Sequence, residues 1–107
     1  MYSIQKDNNI NIIRRVIDQL SPGSEIILFG SRATGNITNS SDYDILVAVN
    51  KILTVTEKRS LSSSIRKQLA EYLIDSDIIV SDKEWISSSS ERPGSIIKEA
   101  LKQGVKL

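Results

Sequence analysis

Asp42 and Asp44 stand one residue apart at the head of the apolar run from Tyr43 to Val49. In an extended chain alternate residues share a face, so Asp42, Asp44, Leu46 and Ala48 line one side and Tyr43, Ile45, Val47 and Val49 the other. Two carboxylates about 6–7 Å apart at the mouth of an apolar segment repel each other and lose hydration. No Lys or Arg lies within that segment. A divalent cation with oxygen ligands would balance them, and Mg²⁺ commonly arrives with substrate phosphates; a solvated loop mouth is the plainer alternative. Upstream, Ile26 to Phe29 stops at Gly30-Ser31, the pattern of a buried strand ending in a tight turn whose amides can face an anion. Gly30 lets the backbone approach phosphate without a Cβ, and Ser31 offers an amide and a hydroxyl. Arg32 suits either phosphate or an ion pair with a loop acid, and Ser41 stands where it can brace the turn before Asp42.

A third carboxylate is available from Ile74 to Val80, read as a strand in which Asp75, Asp77 and Ile79 share one face and Ile74, Ser76, Ile78 and Val80 the other. A solvated strand start is again the alternative. A P-loop is the competitor for the turn, because Gly30 to Gly35 matches the opening of G-x-x-x-x-G-K-[ST]; Asn36 and Ile37 then stand where the lysine and hydroxyl must be. No dinucleotide-binding G-x-G-x-x-G occurs. The chain has no cysteine and no histidine, which excludes disulfides, thiolate- or imidazole-bound zinc, a Ser-His-Asp triad and an imidazole base. Chemistry here must use carboxylates, hydroxyls and metal.

These residues need a scaffold, and the pattern supplies one. Ile10, Ile13, Val16, Ile17 and Leu20 form a helical stripe after a capping Asn8 or Asn9, closed by Ser21-Pro22-Gly23-Ser24. Arg14 and Arg15 lie off the stripe, as a docking patch or a solvated face. Thr34 to Ser41, rich in Asn, Ser, Thr and Gly, reads as an irregular or weakly helical connection over the active face. Thr54 and Glu57 have capping-box spacing ahead of a second stripe, Leu61, Ile65, Leu69, Tyr72 and Leu73, whose several serines blur its start. Asp82 to Trp85 reads as a turn into a short helix, with Trp85 a packing anchor. Ser87 to Gly94 is a connector, and Ser95 caps a last helix carrying Ile96, Ile97, Ala100 and Leu101 and stopped by Gly104. Three stripes alternating with three strands predict one α/β domain over residues 1–107, helices packed on a small sheet. Its 107 residues carry 14 basic and 13 acidic groups and no polybasic run, which argues against direct nucleic-acid binding. With no signal-peptide shape and no long apolar run, a cytoplasmic protein with no membrane association is expected.

Phe29-Gly30-Ser31-Arg32-Ala33 followed by Ser41-Asp42-Tyr43-Asp44-Ile45 resembles the signature of the minimal nucleotidyltransferases of the DNA polymerase β superfamily, F-G-S-R-A-x-G … S-D-x-D-L. The segment from Gly94 to Gly104 also looks like that family's closing helix. The resemblance implies an α+β nucleotidyltransferase fold with a small mixed sheet flanked by helices. It implies Asp42 and Asp44 as Mg²⁺ ligands and a third acid directly before an apolar run, which selects Asp77 over Asp75 as ligand or base. Gly30, Ser31, Arg32 and Ser41 would serve the nucleotide, with ATP as donor. Stand-alone minimal members resemble antitoxins that work beside a separately encoded helical toxin of the HEPN type, which implies a partner protein and a possible hetero-oligomer. Transfer of AMP to a hydroxyl near that toxin's active site would add charge and bulk that oppose RNA binding. The small size points the same way, since little chain remains to orient an acceptor. The alternatives are transfer to a small molecule such as an antibiotic, a non-catalytic nucleotide-binding subunit of the same fold, and a phosphate- or metal-binding regulator.

Overall fold

The computed structural model describes residues 7–34, 42–82, 102 and 104–107, and of Ser31 and Thr34 the backbone alone. In chain order these form α1 (Asn8–Leu20), β1 (Glu25–Phe29), α2 (Ser31–Thr34), β2 (Tyr43–Val49), α3 (Val55–Glu71), β3 (Ser76–Asp82) and β4 (Val105–Lys106). The strands make one mixed sheet in the order β3-β2-β1-β4. β1 pairs antiparallel with both β2 and β4, while β2 and β3 run parallel. A parallel pair cannot be joined by a tight turn, so the chain crosses over through α3 between them.

The period-two reading of β2 decides which way the core lies. Tyr43, Ile45, Val47 and Val49 are buried with Ile26 and Leu28 of β1 and Ile78 and Val80 of β3. Onto this face α1 lays Ile10, Ile13, Val16 and Ile17, and α3 lays Ile65 and Leu69. Each such side chain contributes about 1.5–3 kcal/mol when fully buried. The opposite face carries a smaller group, Ile27 and Leu46 with Phe29 and Ile79 against them. Asp42 and Asp44 therefore alternate onto the face away from the two long helices.

Several local expectations need correction. Asp7, not Asn8 or Asn9, caps α1: its Oδ1 accepts from the Asn9 amide at 2.9 Å. β3 begins later than expected and runs on through Asp82, which is buried at its end and not the start of a turn. There Asp82 Oδ2 accepts from the Leu53 amide at 3.3 Å and lies 3.9 Å from Lys58 Nζ. The two-residue strand β4 was not anticipated; its Val105 and Lys106 sit opposite Leu28 and Ile27. Lys102 is helical and Gly104 is not, in keeping with a stop there, but Ser41, Trp85, the connector and most of the last helix lie outside the described residues.

The expected box at α3 is present in both directions: Glu57 N donates to Thr54 Oγ1 at 3.1 Å and Thr54 N to Glu57 Oε1 at 3.0 Å. These bonds hold the Glu57 carboxyl below its usual range. The serines of α3 are not wasted, since Ser62 Oγ donates to the Ile78 carbonyl at 2.9 Å and ties the helix to β3. The stripe fails at its far end, where α3 stops at Glu71 and Leu73 adopts a left-handed φ of 60°. A side chain in that conformation costs roughly 1–2 kcal/mol. Replacing Thr54 by Ala leaves the first-turn amides without their acceptor. The variant should lose about 1 kcal/mol and melt roughly 4–8 °C lower, read by thermal denaturation.

Candidate active site

Two registers meet at one residue. Asp44 lies opposite Phe29 on β1 and opposite Asp77 on β3. Neighbouring strands are about 4.8 Å apart, so the Asp44 and Asp77 backbones are next to each other on one face. Burial pushes the Asp44 carboxyl above its ordinary value, and the charges of Asp77 and then Asp42 push it further the same way. Asp75 stands just before β3, where its carbonyl accepts from the Tyr43 amide at 3.0 Å. Asp77, not Asp75, is thus the acid aligned with Asp44.

The glycine turn abuts the same carboxylate. Gly30 has a φ of +72°, a conformation that side chains rarely adopt, and a Cβ built on it would run into the Asp44 carboxylate, whose carbon would be 3.0 Å away. Two independent constraints therefore demand glycine here. The Ala33 amide donates to the Gly30 carbonyl at 3.1 Å as the chain enters α2. Turn and acids occupy one end of the sheet, which the spacing in the sequence did not require.

Arg32 leads from this turn into a small polar network. Its guanidinium stacks 3.9 Å from the Tyr43 ring centroid and reaches Asp7 Oδ2 at 3.8 Å. Tyr43 donates its hydroxyl to the same Asp7 oxygen at 2.5 Å and accepts from Asn9 Nδ2 at 3.3 Å. Burial, with the bond to Asp7, raises the Tyr43 phenol to about 12, so it stays protonated and keeps donating. Asp7 and the Tyr43 hydroxyl were missed in the sequence. An acid one residue before a helix signals a cap, but nothing local signals that it also reaches β2 and α2.

The donor chemistry fits Mg²⁺, which takes oxygen ligands. Among the described residues no three acidic side chains converge closely enough to enclose an ion. That agrees with the habit of Mg²⁺, which is usually held by one or two carboxylates together with substrate phosphates and water, not by an all-protein cage. Asp42, Asp44 and Asp77 are the residues that would hold it. A cavity of about 760 Å³ lies at the other end of β2, lined by Leu20, Val49, Lys51, Thr56 and Ser60 among others. Its one acid, Glu57, is occupied in the helix cap, so the cavity lacks the carboxylates for this chemistry.

The raised Asp44 carboxyl carries a sign that can be tested. Folding favours its protonated form, so the ionised group costs stability once pH rises through its folded pKa, and costs nothing below its ordinary value of 3.8. Asp44→Asn should therefore melt higher than the natural protein at pH 7 without metal, with the difference vanishing at the acid end. Parallel melts across pH check it; a lower melting temperature at pH 7 contradicts the assigned repulsion.

The chain matches the family described as polymerase beta, nucleotidyltransferase, over residues 11–107. Among curated proteins nothing matches. Among solved structures it is similar to a toxin-antitoxin with AMP-PNP, at 22% identity and a TM-score of 0.64 over 94% of this chain and 72% of that one. It is also similar to a mutant of the toxin-antitoxin MntA-HpeT, at 18% identity and a TM-score of 0.59 over 90% and 69%. A third is the tri-AMPylated Shewanella oneidensis HEPN toxin in complex with MNT antitoxin, at 23% identity and a TM-score of 0.58 over 92% and 68%. At these identities the likeness establishes a shared fold. With the match covering nearly its whole length, the chain belongs to the polymerase β nucleotidyltransferase family.

Proposed function

We propose that this protein moves AMP from ATP to a hydroxyl of a partner protein, and that the partner is a helical HEPN-type toxin neutralised by the modification. The observation that carries the reading is the contact of the Gly30 turn with Asp44, with Asp77 level on the next strand. Support comes from the family and from the likeness to structures of a toxin-antitoxin with AMP-PNP and of a tri-AMPylated HEPN toxin with its MNT antitoxin.

In this reading the backbone at Gly30 and Ser31 receives the β- and γ-phosphates, with Arg32 and Ser41 beside them. Asp42 and Asp44 would hold Mg²⁺, with Asp77 beside them completing the acidic set. Once bound there, Mg²⁺ would supply charge neutralisation at the α-phosphate and on the leaving pyrophosphate. The acceptor oxygen attacks the α-phosphorus, the bond from that phosphorus to the bridging oxygen breaks, and pyrophosphate departs with the electron pair. The hydroxyl proton passes to Asp77, acting as general base, and then to solvent. Asp7 and Tyr43 hold the Arg32 guanidinium in place while this occurs.

Two experiments test the proposal. Asp77→Asn should lower turnover by roughly 10²–10⁴-fold, the range of a general base, while Asp75→Asn changes it little; the reverse result moves the third acid two residues upstream. The second weighs a HEPN-type toxin after incubation with this protein and Mg-ATP. A mass increase of one or more AMP units that disappears with Asp42→Asn is expected. An unmodified partner, together with efficient transfer to an aminoglycoside-like compound, would replace the protein acceptor by a small molecule.

A further inference from the structure

The end of α3 is built as a Schellman motif with an unusual occupant. The Leu73 amide donates to the Ala70 carbonyl at 3.0 Å and the Ile74 amide to the Leu69 carbonyl at 3.1 Å, the paired bonds that close such a helix end. Leu69 and Ile74 are both buried in the same core cluster, the positions whose apolar contact usually accompanies the motif. The residue between cap and contact must turn left-handed, a place normally taken by glycine or asparagine. Here it is a leucine with φ 60° and 92% of its surface exposed. Its side chain gains nothing from the core to offset the strained backbone. Tyr72 beside it is 48% exposed, its ring covered on one side by Arg15 at 5.9 Å. A strained, solvent-facing apolar residue is the kind of outlier from which a functional constraint is inferred.

Its position in the fold says which function. Leu73 lies in the connection from α3 into β3, four residues before Asp77, hence at most about 14 Å from it along the chain. β3 is one of the two outer strands of the described sheet, and Asp77 is exposed on it. The connection is also joined to the head of β2 through the Asp75–Tyr43 hydrogen bond. The connection stands at the same end of the sheet as the acids, so a macromolecule that brings a hydroxyl to them from the β3 side would meet it. A small-molecule acceptor would not need to touch it.

We propose that Leu73, with Tyr72 beside it, is the knob on which the acceptor protein seats: it enters an apolar cleft of that protein, Arg15 faces an acidic rim, and the hydroxyl is thereby placed at the acid edge. This rests on the reading that the acceptor is a protein. Large apolar and aromatic side chains set into a partner's cleft commonly carry most of an interface's affinity.

The left-handed backbone makes the test unusually clean, because removing the leucine relieves strain instead of damaging the fold. Leu73→Gly and Leu73→Asn should melt no lower than the natural protein, and as much as about 4–8 °C higher. Affinity for a HEPN-type toxin, the proposed acceptor, measured by calorimetry, should weaken about tenfold or more, while affinity for Mg-ATP stays unchanged. Partner affinity within threefold of the natural protein's in both variants overturns the proposal. So does a parallel loss of Mg-ATP affinity, which would place Leu73 in the nucleotide site, or a natural protein that does not bind the partner. Because binding is read apart from transfer, a partner that binds through Leu73 yet gains no mass sinks the AMP-transfer reading and leaves the seat standing.

Discussion

The structure depends on β2 being held from both sides with its charged end still ionisable. β1 and β3 fix the strand through two different registers, antiparallel and parallel, and both arrive at Asp44. Interior strands of this kind are apolar because they are covered on both faces, and β2 is buried from Ile45 to Val49. Only its first turn of pleat reaches the rim, so that is where carboxylates can be tolerated. The parallel partner then dictates α3, since a crossover is needed to bring the chain back to the same end of the sheet. Site, sheet order and the helix layer are consequences of one pairing.

The acid edge stores electrostatic cost in the folded chain. Asp44 loses hydration and faces two like charges, so its ionised form is disfavoured until positive charge arrives. Alternative ways of lowering that cost are visible elsewhere in the same protein. The buried Asp82 is placed by a backbone amide and Lys58, and Asp7 by a helix amide, a phenol and Arg32. The half-buried Asp44 is set apart from these paired acids by the like charges beside it, an arrangement that a cation would relieve. Cation binding also accounts for acids that lie alongside one another without enclosing a point: phosphates of a nucleotide can complete the coordination.

Much of this was legible in the sequence where local rules govern. The period of two assigned every face of β2, and the spacing of Thr54 and Glu57 gave the cap of α3, because both are decided by residues within a few positions of each other. The choice of Asp77 came from resemblance, and the register of β3 supplies its physical counterpart in the alignment with Asp44. What escaped was non-local or contrary to propensity. β4 is two residues long and exists only because β1 offers an edge. The Tyr43 hydroxyl spans from β2 to the start of α1, a contact 36 positions apart that no window reveals. Leu73 extended the apolar stripe on paper, but a helix ends where its backbone turns, and the turn carried that leucine into solvent.

Arg32 is held by contacts that come from distant parts of the chain. Among the described residues its ion-pair partner is Asp7 at the head of α1. A guanidinium presents five N–H donors around its plane and a flat face besides. The Tyr43 ring takes the face, and at 3.8 Å the Asp7 carboxylate makes a loose pair, not a bidentate one. Ring and carboxylate together fix the orientation of the guanidinium plane. Lysine could not reproduce it, because an ammonium has neither a plane to stack nor a rigid fork to aim. The arginine is thus oriented by the tyrosine that sits between Asp42 and Asp44, which ties the start of α2 to the strand that carries the acids.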